Sequence, residues 1–129
     1  MAGALRDALS REGFRGDVED GMGPRLVAAT DNSIYQVMPV AVLHPRTGAD
    51  VNAVVRAARG VPGLALSPRG GGTGTNGQSL TTGAVVDLSR HMNRILSLDV
   101  EAQRVVVEPG VVLDPVSYTH LTLPTKRIV

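Results

Sequence analysis

Apolar residues recur along this chain in two periods. Leu5 and Leu9 stand four residues apart within Ala2–Glu12, the spacing of one face of a short helix. Gly13–Gly23 carries glycines and acids and reads as loop. Pro24 can open a second helix at its first position, where a missing N–H is harmless, with Leu26 and Val27 behind it. Ser33–Val37 runs out extended. Pro39–Leu43 is apolar and β-branched, a strand ended by His44-Pro45. Val51, Val54, Val55 and Ala58 then fall at i, i+3, i+4 and i+7, which predicts an amphipathic helix. Thr47 supplies its N-cap, Asp50 suits the dipole of its first turn, and Gly60 and Pro62 stop it.

Beyond this helix the period shortens. Gly63–Ser67 predicts a short strand running directly into a glycine loop, and Gly83–Leu88 predicts another short buried strand. Arg94–Asp99 and Arg104–Glu108 flank Val100–Gln103 as the arms of a hairpin, which Glu108-Pro109-Gly110 ends. Val111–Asp114 offers the start of a further helix. The order strand, helix, strand, glycine loop, strand, hairpin gives a mixed α+β class, with no internal repeat and no low-complexity linker.

Composition narrows the function classes. A chain of 129 residues is one domain at most, and 43% apolar residues suffice for a core. That core is built of Ala, Val and Leu, because Phe14, Tyr35 and Tyr118 are the only aromatics. The net charge of +1 is interspersed. It argues against an electrostatic grip on nucleic acid, and there are few rings on which bases could stack. Without cysteine there is neither a disulfide framework nor a thiolate metal site, and no His/Asp/Glu cluster shows ligand spacing. No apolar run approaches the ~20 residues of a membrane span. The N-terminus lacks a signal-peptide core. The expectation is a cytoplasmic protein, or one peripheral to the inner face of the membrane. His44 reads as a surface residue at a strand end, and Asp17, Glu19 and Asp20 read as a solvated face.

The candidate chemistry lies in Ser67–Gln78, where five of the eight residues Gly70–Gly77 are glycine. Bare backbone in tight turns presents N–H groups as an anion nest. A Walker loop would end in Gly-Lys-Ser/Thr, and no lysine follows here. Gly72-Thr73-Gly74-Thr75-Asn76-Gly77 formally matches a Rossmann fingerprint, but that motif must open a helix. Gln78–Gly83 is turn material, and Arg90, His91 and Arg94 stand where the ribose-binding acid belongs.

Arg69–Gln78, with the apolar strand before it and Val85-Val86-Asp87-Leu88-Ser89-Arg90-His91-Met92-Asn93 after it, resembles the PCMH-type FAD-binding domain of the vanillyl-alcohol oxidase/p-cresol methylhydroxylase superfamily. The resemblance runs from about Val37 to Asp114. Thr30-Asp31-Asn32-Ser33-Ile34-Tyr35-Gln36 and Ser89–Ile95 narrow it to the FAD-linked D-2-hydroxyglutarate/D-lactate dehydrogenases. It implies the first subdomain of that fold, a small mixed sheet flanked by helices, and the start of the second. It also implies a flavoenzyme that oxidises a 2-hydroxyacid by hydride transfer to flavin N5, with the electron acceptor unspecified. The implied cofactor-binding residues are Pro68, Arg69, Gly70, Gly71, Gly72, Thr73, Gly74, Thr75, Asn76, Gly77, Glu108, Pro109 and Gly110. The FAD is expected to be non-covalent, since Thr73 stands where covalent members carry histidine. Arg69 is either a phosphate clamp or a structural ion-pair partner, and Glu108–Gly110 either lines the adenine side or simply ends a strand. Other flavin oxidoreductases of the fold, sugar or alcohol oxidases and the peptidoglycan-precursor reductase, and a non-catalytic anion-binding module stand as alternatives.

Catalytic residues, and any iron–sulfur region of the kind such dehydrogenases carry, are expected downstream of this chain. Residues 1–36 read as a helical lead-in and 37–115 as a partial FAD-binding domain. The segment Val116–Val129 resembles translated sequencing adapter, so 116–129 is expected to be a non-native tail.

Overall fold

A computed structural model describes residues 1–112. Nine elements follow in order: α1 Ala2–Arg11, β1 Asp17–Glu19, α2 Met22–Ala28, β2 Ala41–His44, α3 Gly48–Arg59, β3 Leu66–Arg69, β4 Ala84–Asp87, β5 Ile95–Asp99 and β6 Arg104–Val107. Four strands form one sheet in the order β1-β2-β4-β3, and β5 and β6 pair as a separate hairpin. β2, β4 and β3 are parallel, with Ala41 opposite Ala84 and Leu66 opposite Ala84, while β1 runs antiparallel to β2.

Alternation along the strands sorts the side chains onto two faces. Ala41, Leu43, Ala84 and Val86 join Leu5, Ala8 and Leu9 of α1 and Val54 and Ala57 of α3 in the main core. Val42 and Val85 point the other way and meet Ala28 of α2. Each fully buried Leu or Val contributes about 1.5–3 kcal/mol of hydrophobic stabilisation. Leu5, Leu9, Leu43 and Val54 are all in that state.

The structure departs from the sequence pattern in several places. Gly13–Gly23 is not all loop, because Asp17–Glu19 forms β1 against the far edge of β2. α2 begins at Met22 with Gly21 as N-cap, so Pro24 lies at its third position. Ser33–Val37 is a tight loop rather than an extended run, closed by a single bridge between Thr30 and Gln36. The buried stripe of α3 is Asp50, Ala53, Val54 and Ala57, one residue back from the predicted one, and Val55 is exposed. Asp50 can start that stripe because its carboxylate accepts the backbone N–H groups of Arg15 at 3.0 Å and Arg46 at 2.9 Å. Its own N–H donates to the Thr47 hydroxyl, as the N-cap expectation requires. β3 begins at Leu66, three residues later than expected. Val111 and Val112 are irregular. The remainder of the expected Val111–Asp114 helix and the 116–129 tail lie outside the described residues.

Among the described residues no helix is long and apolar enough to cross a membrane.

Candidate functional site

The three parallel strands end side by side at His44, Arg69 and Asp87, and ligands of such sheets bind outside the carboxyl ends of the strands. The glycine loop leaves β3 at this edge. Gln78–Gly83 is turn and bend, and β4 follows without a helix, so the Rossmann reading fails on its own structural requirement.

Gly72 and Gly77 have φ of +69° and +73°, the left-handed region that glycine enters freely. Gly70 and Gly71 do not. Around Gly70 an added Cβ would meet nothing within 4 Å, and at Gly71 only a Thr73 methyl at 3.8 Å. The protein's own packing therefore asks for glycine at neither position. Their bareness leaves open space beside the backbone. Among the described residues, the N–H groups of Gly70, Gly71, Gly72, Thr73, Gly74 and Thr75 donate to no other protein group. A run of free donors around bare space is the arrangement that an anion cradle requires.

Pro68 to Gly74 line a pocket of about 210 Å³ together with Gln78 and Ser79. Ser79 is a site residue that the sequence reading missed. It is buried, yet its hydroxyl has no hydrogen-bond partner. Buried polar atoms normally find one, so an orphan beside the free N–H groups fits a ligand bearing acceptor oxygens. Gln78 braces the loop, its side-chain oxygen accepting from Asn76 N–H at 3.1 Å and its carbonyl from the Ser67 hydroxyl at 3.4 Å. Thr75, Asn76 and Gly77 belong to the loop but not to the pocket lining.

Among the described residues Arg69 forms no ion pair, and one of its guanidinium nitrogens, Nη1, is committed to backbone carbonyls. Its guanidinium donates to the carbonyl of Thr30 at 2.9 Å and to that of Ala28 at 3.4 Å. It lies under Gly72, where any side chain would collide with it. Asn32 completes the brace, its N–H donating to Gly74 O at 3.0 Å and its amide to Thr73 O at 3.4 Å. The segment 28–32 thus holds the cradle from behind.

Glu108, Pro109 and Gly110 do not line this pocket. Glu108 is buried and accepts from Arg94 Nε at 2.7 Å and from Arg94 N–H at 3.0 Å. These bonds hold its carboxyl below the usual range. Gly110 N–H donates to Met92 O at 2.8 Å, and a Cβ there would strike the Leu88 carbonyl.

A second cleft of about 180 Å³ adjoins the first, with Arg69 lining both and Glu19, His44, Asp87 and Arg90 among its walls. His44 is buried rather than on the surface, because its parity along β2 is that of Val42 and turns it under α2. Burial first, then the nearby Arg90, push its pKa below the usual imidazole value, against the pull of Asp87 and Glu19. Asp17, Glu19 and Asp20 are paired rather than simply solvated. Asp17 meets His91 Nε2 at 2.6 Å, Glu19 meets Arg90 at 2.7 Å and Asp20 meets Arg6 at 3.0 Å. The hydrogen bond from His91 holds the Asp17 carboxyl low, as that from Arg90 does for Glu19. Among the described residues no group of three or more His, Cys, Asp or Glu is placed to hold a metal.

Residues 39–120 match the family described as FAD binding domain. The chain belongs to that family. Over 110 residues this FAD binding domain is 53% identical to the D-2-hydroxyglutarate dehydrogenase of Pantoea ananatis, covering 84% of the chain and 11% of that protein. It is 50% identical over 108 residues to the enzyme of the same name from Escherichia coli, covering 82% of the chain and 11% of that protein. The chain thus spans about a tenth of the length of the curated relatives it matches. Among solved structures it superposes on wild-type BBE-like 1 of Physcomitrella patens with a TM-score of 0.72 and 27% identity, covering 87% of the chain and 24% of that one. The PCMH-type fold and the hydroxyacid dehydrogenase resemblance read from Arg69–Gln78 and Thr30–Gln36 are therefore borne out.

Proposed function

We propose that this chain is the cofactor-holding N-terminal part of a flavin-dependent D-2-hydroxyacid dehydrogenase, with FAD bound non-covalently through its pyrophosphate. One observation carries the reading: among the described residues the N–H groups from Gly70 to Thr75 have no protein acceptor, and the backbone at Gly70 and Gly71 adjoins open space. Those N–H groups would donate to the phosphate oxygens. The Ser79 hydroxyl adds a donor from the pocket wall, and Thr73, Thr75 and Asn76 offer polar side chains at the rim. Thr73 has no ring nitrogen with which to bond a flavin covalently. Arg69 acts at one remove, holding the turn at Gly72 through its bonds to Thr30 and Ala28. The flavin, when bound, accepts the hydride from the substrate carbon; the share of this chain is to bind and orient it.

The roughly 50% identity to D-2-hydroxyglutarate dehydrogenases supports a small 2-hydroxyacid as the substrate of the whole protein. The location that goes with this reading is cytoplasmic, or peripheral to the inner face of the membrane. The test is a titration of the chain with FAD, read as a change in flavin fluorescence, alongside a variant carrying Gly70→Val and Gly71→Val. Saturable binding that the variant loses supports the reading; a chain that ignores FAD defeats it. For the full-length protein, bleaching of the yellow flavin band by D-2-hydroxyglutarate in preference to D-lactate tests the substrate.

A further inference from the structure

Four asparagines stand in the chain, at 32, 52, 76 and 93, and Asn76 alone is followed by glycine. Their surroundings differ. The side-chain amide of Asn32 donates to Thr73 O and that of Asn93 to Ser89 O, while Asn52 lies within α3. Asn76 is exposed on the glycine loop, and among the described residues its side-chain amide makes no hydrogen bond. Its backbone is held instead, the N–H donating to Gln78 Oε1 at 3.1 Å. Gly77 follows with φ of +73°, and having no Cβ it carries no side chain to shield its nitrogen. Beside that nitrogen stands Asp31. Its Oδ1 accepts from Ser33 N–H at 2.8 Å, while its Oδ2 is buried without a partner. Ser33 first, then more weakly Arg69 and the Gly77 N–H, hold this carboxyl below the usual range, so it is ionised at neutral pH.

An unbound asparagine amide, an unshielded glycine nitrogen and a carboxylate with a spare oxygen are three reactants already brought together by the fold. We propose that Asn76 is a site of deamidation, and that the carboxylate formed there closes the anion cradle to phosphate. Asp31 takes the amide proton of Gly77, and the Gly77 nitrogen attacks Asn76 Cγ. A C–N bond forms, the Cγ–Nδ2 bond breaks, and the proton returns through solvent to Nδ2, which leaves as ammonia. The five-membered imide then takes up one water and opens at either carbonyl, to aspartate or to its β-linked isomer. Water is the only co-reactant and nothing is oxidised or reduced. The product places a fixed negative charge on the loop that presents the free N–H groups, and like charge opposes an anionic ligand. The loss of phosphate binding rests on the flavin reading above; the conversion of Asn76 does not.

The test incubates the chain in mildly alkaline buffer and follows its peptides by mass spectrometry. The peptide holding Asn76 is expected to gain the mass of an amide turned to acid and to split into two isomers, while those holding Asn32, Asn52 and Asn93 stay intact. Asp31→Asn is expected to slow the conversion severalfold. The effect on the cradle is read by calorimetric titration of Asn76→Asp and Asn76→Ala with inorganic pyrophosphate, once matching circular dichroism shows that both fold. Asn76→Asp is expected to bind about tenfold more weakly than Asn76→Ala, and added salt is expected to narrow the gap, as it does for repulsion between charges in solvent. Conversion of Asn76 no faster than that of Asn32 and Asn93 overturns the site, and an unslowed Asp31→Asn overturns the base. Equal affinity in Asn76→Asp and Asn76→Ala overturns the closing of the cradle while leaving the flavin reading intact. A wild-type chain that binds no pyrophosphate brings down the flavin reading and the closing together, whereas the conversion is still read by mass alone.

Discussion

His44 Nδ1 lies 3.7 Å from Asp87 Oδ2, and its Nε2 lies 3.6 Å from Glu19 Oε2, with no hydrogen bond formed at either nitrogen. The side chain is 4% exposed and its folded pKa lies below 6.5. The unfolded chain therefore takes up this proton first as pH falls. Stability contributed by neutral His44 is full above about pH 6.5 and drains away as pH drops through the window between the unfolded and folded values. The urea midpoint is expected to fall between pH 7.5 and 5.5, and His44→Phe is expected to flatten that slope. An unchanged slope in His44→Phe would show that another group titrates there.

Asp50 ties the start of α3 to two chain segments at once, through Arg15 and Arg46. Asp50→Ala leaves both N–H groups without their acceptor and is expected to cost about 2–3 kcal/mol. Thr47→Ala removes only the cap, at about 1 kcal/mol. Denaturant melts of the two variants check the ranking; a reversed order would mean that the Asp50 bonds are replaced by water at little loss.

The glycines divide into two kinds. At Gly83 an added Cβ would run into the Ala65 backbone, whereas at Gly70 it enters open space. Gly83→Ala is therefore expected to destabilise the fold by about 1–3 kcal/mol. Gly70→Val is expected to leave the melting temperature within a degree or two and to abolish binding of FAD. Thermal melts paired with flavin titrations separate the two effects. A Gly70→Val protein that binds FAD normally would remove the cradle from this position.

Ser79 offers the converse test. Its hydroxyl is buried without a partner, so Ser79→Ala removes an unsatisfied group and is expected to leave stability unchanged or slightly raised. If that hydroxyl donates to a phosphate, FAD affinity falls about tenfold, the value of a charge-assisted bond. Calorimetric titration of the variant reads this directly, and a drop in stability with unaltered affinity would reassign Ser79 to the fold.

Much of this architecture was legible because its signals are local. The glycine cluster, the valine runs of β4 and β6 and the Thr47 cap each declare themselves within a few residues. What escaped is non-local. β1 is three residues long, two of them acids, and becomes a strand only by pairing with β2 more than twenty residues away. The face of α3 is displaced by one residue because Asp50 is buried by bonds to Arg15, which a hydrophobic pattern counts as a polar break. His44 looked exposed because it is polar and precedes proline, yet strand parity placed it under α2. In the site, the glycine loop was readable but not the bonds that brace it. Nothing near Arg69 in sequence indicates that its Nη1 donates to carbonyls some forty residues upstream. Ser79 carried no signal beyond being a serine in a turn.

Pro68 has a consequence of another kind. Among the described residues β3 is the outermost strand of the sheet and pairs only with β4, leaving an edge of backbone groups that another chain could zip onto. Proline has no N–H to offer such a partner. The strand that launches the cradle thus interrupts its own free edge immediately before the glycines begin. Replacing it with valine would extend the row of exposed donors, inviting edge-to-edge polymerisation that would seal the mouth through which a ligand enters.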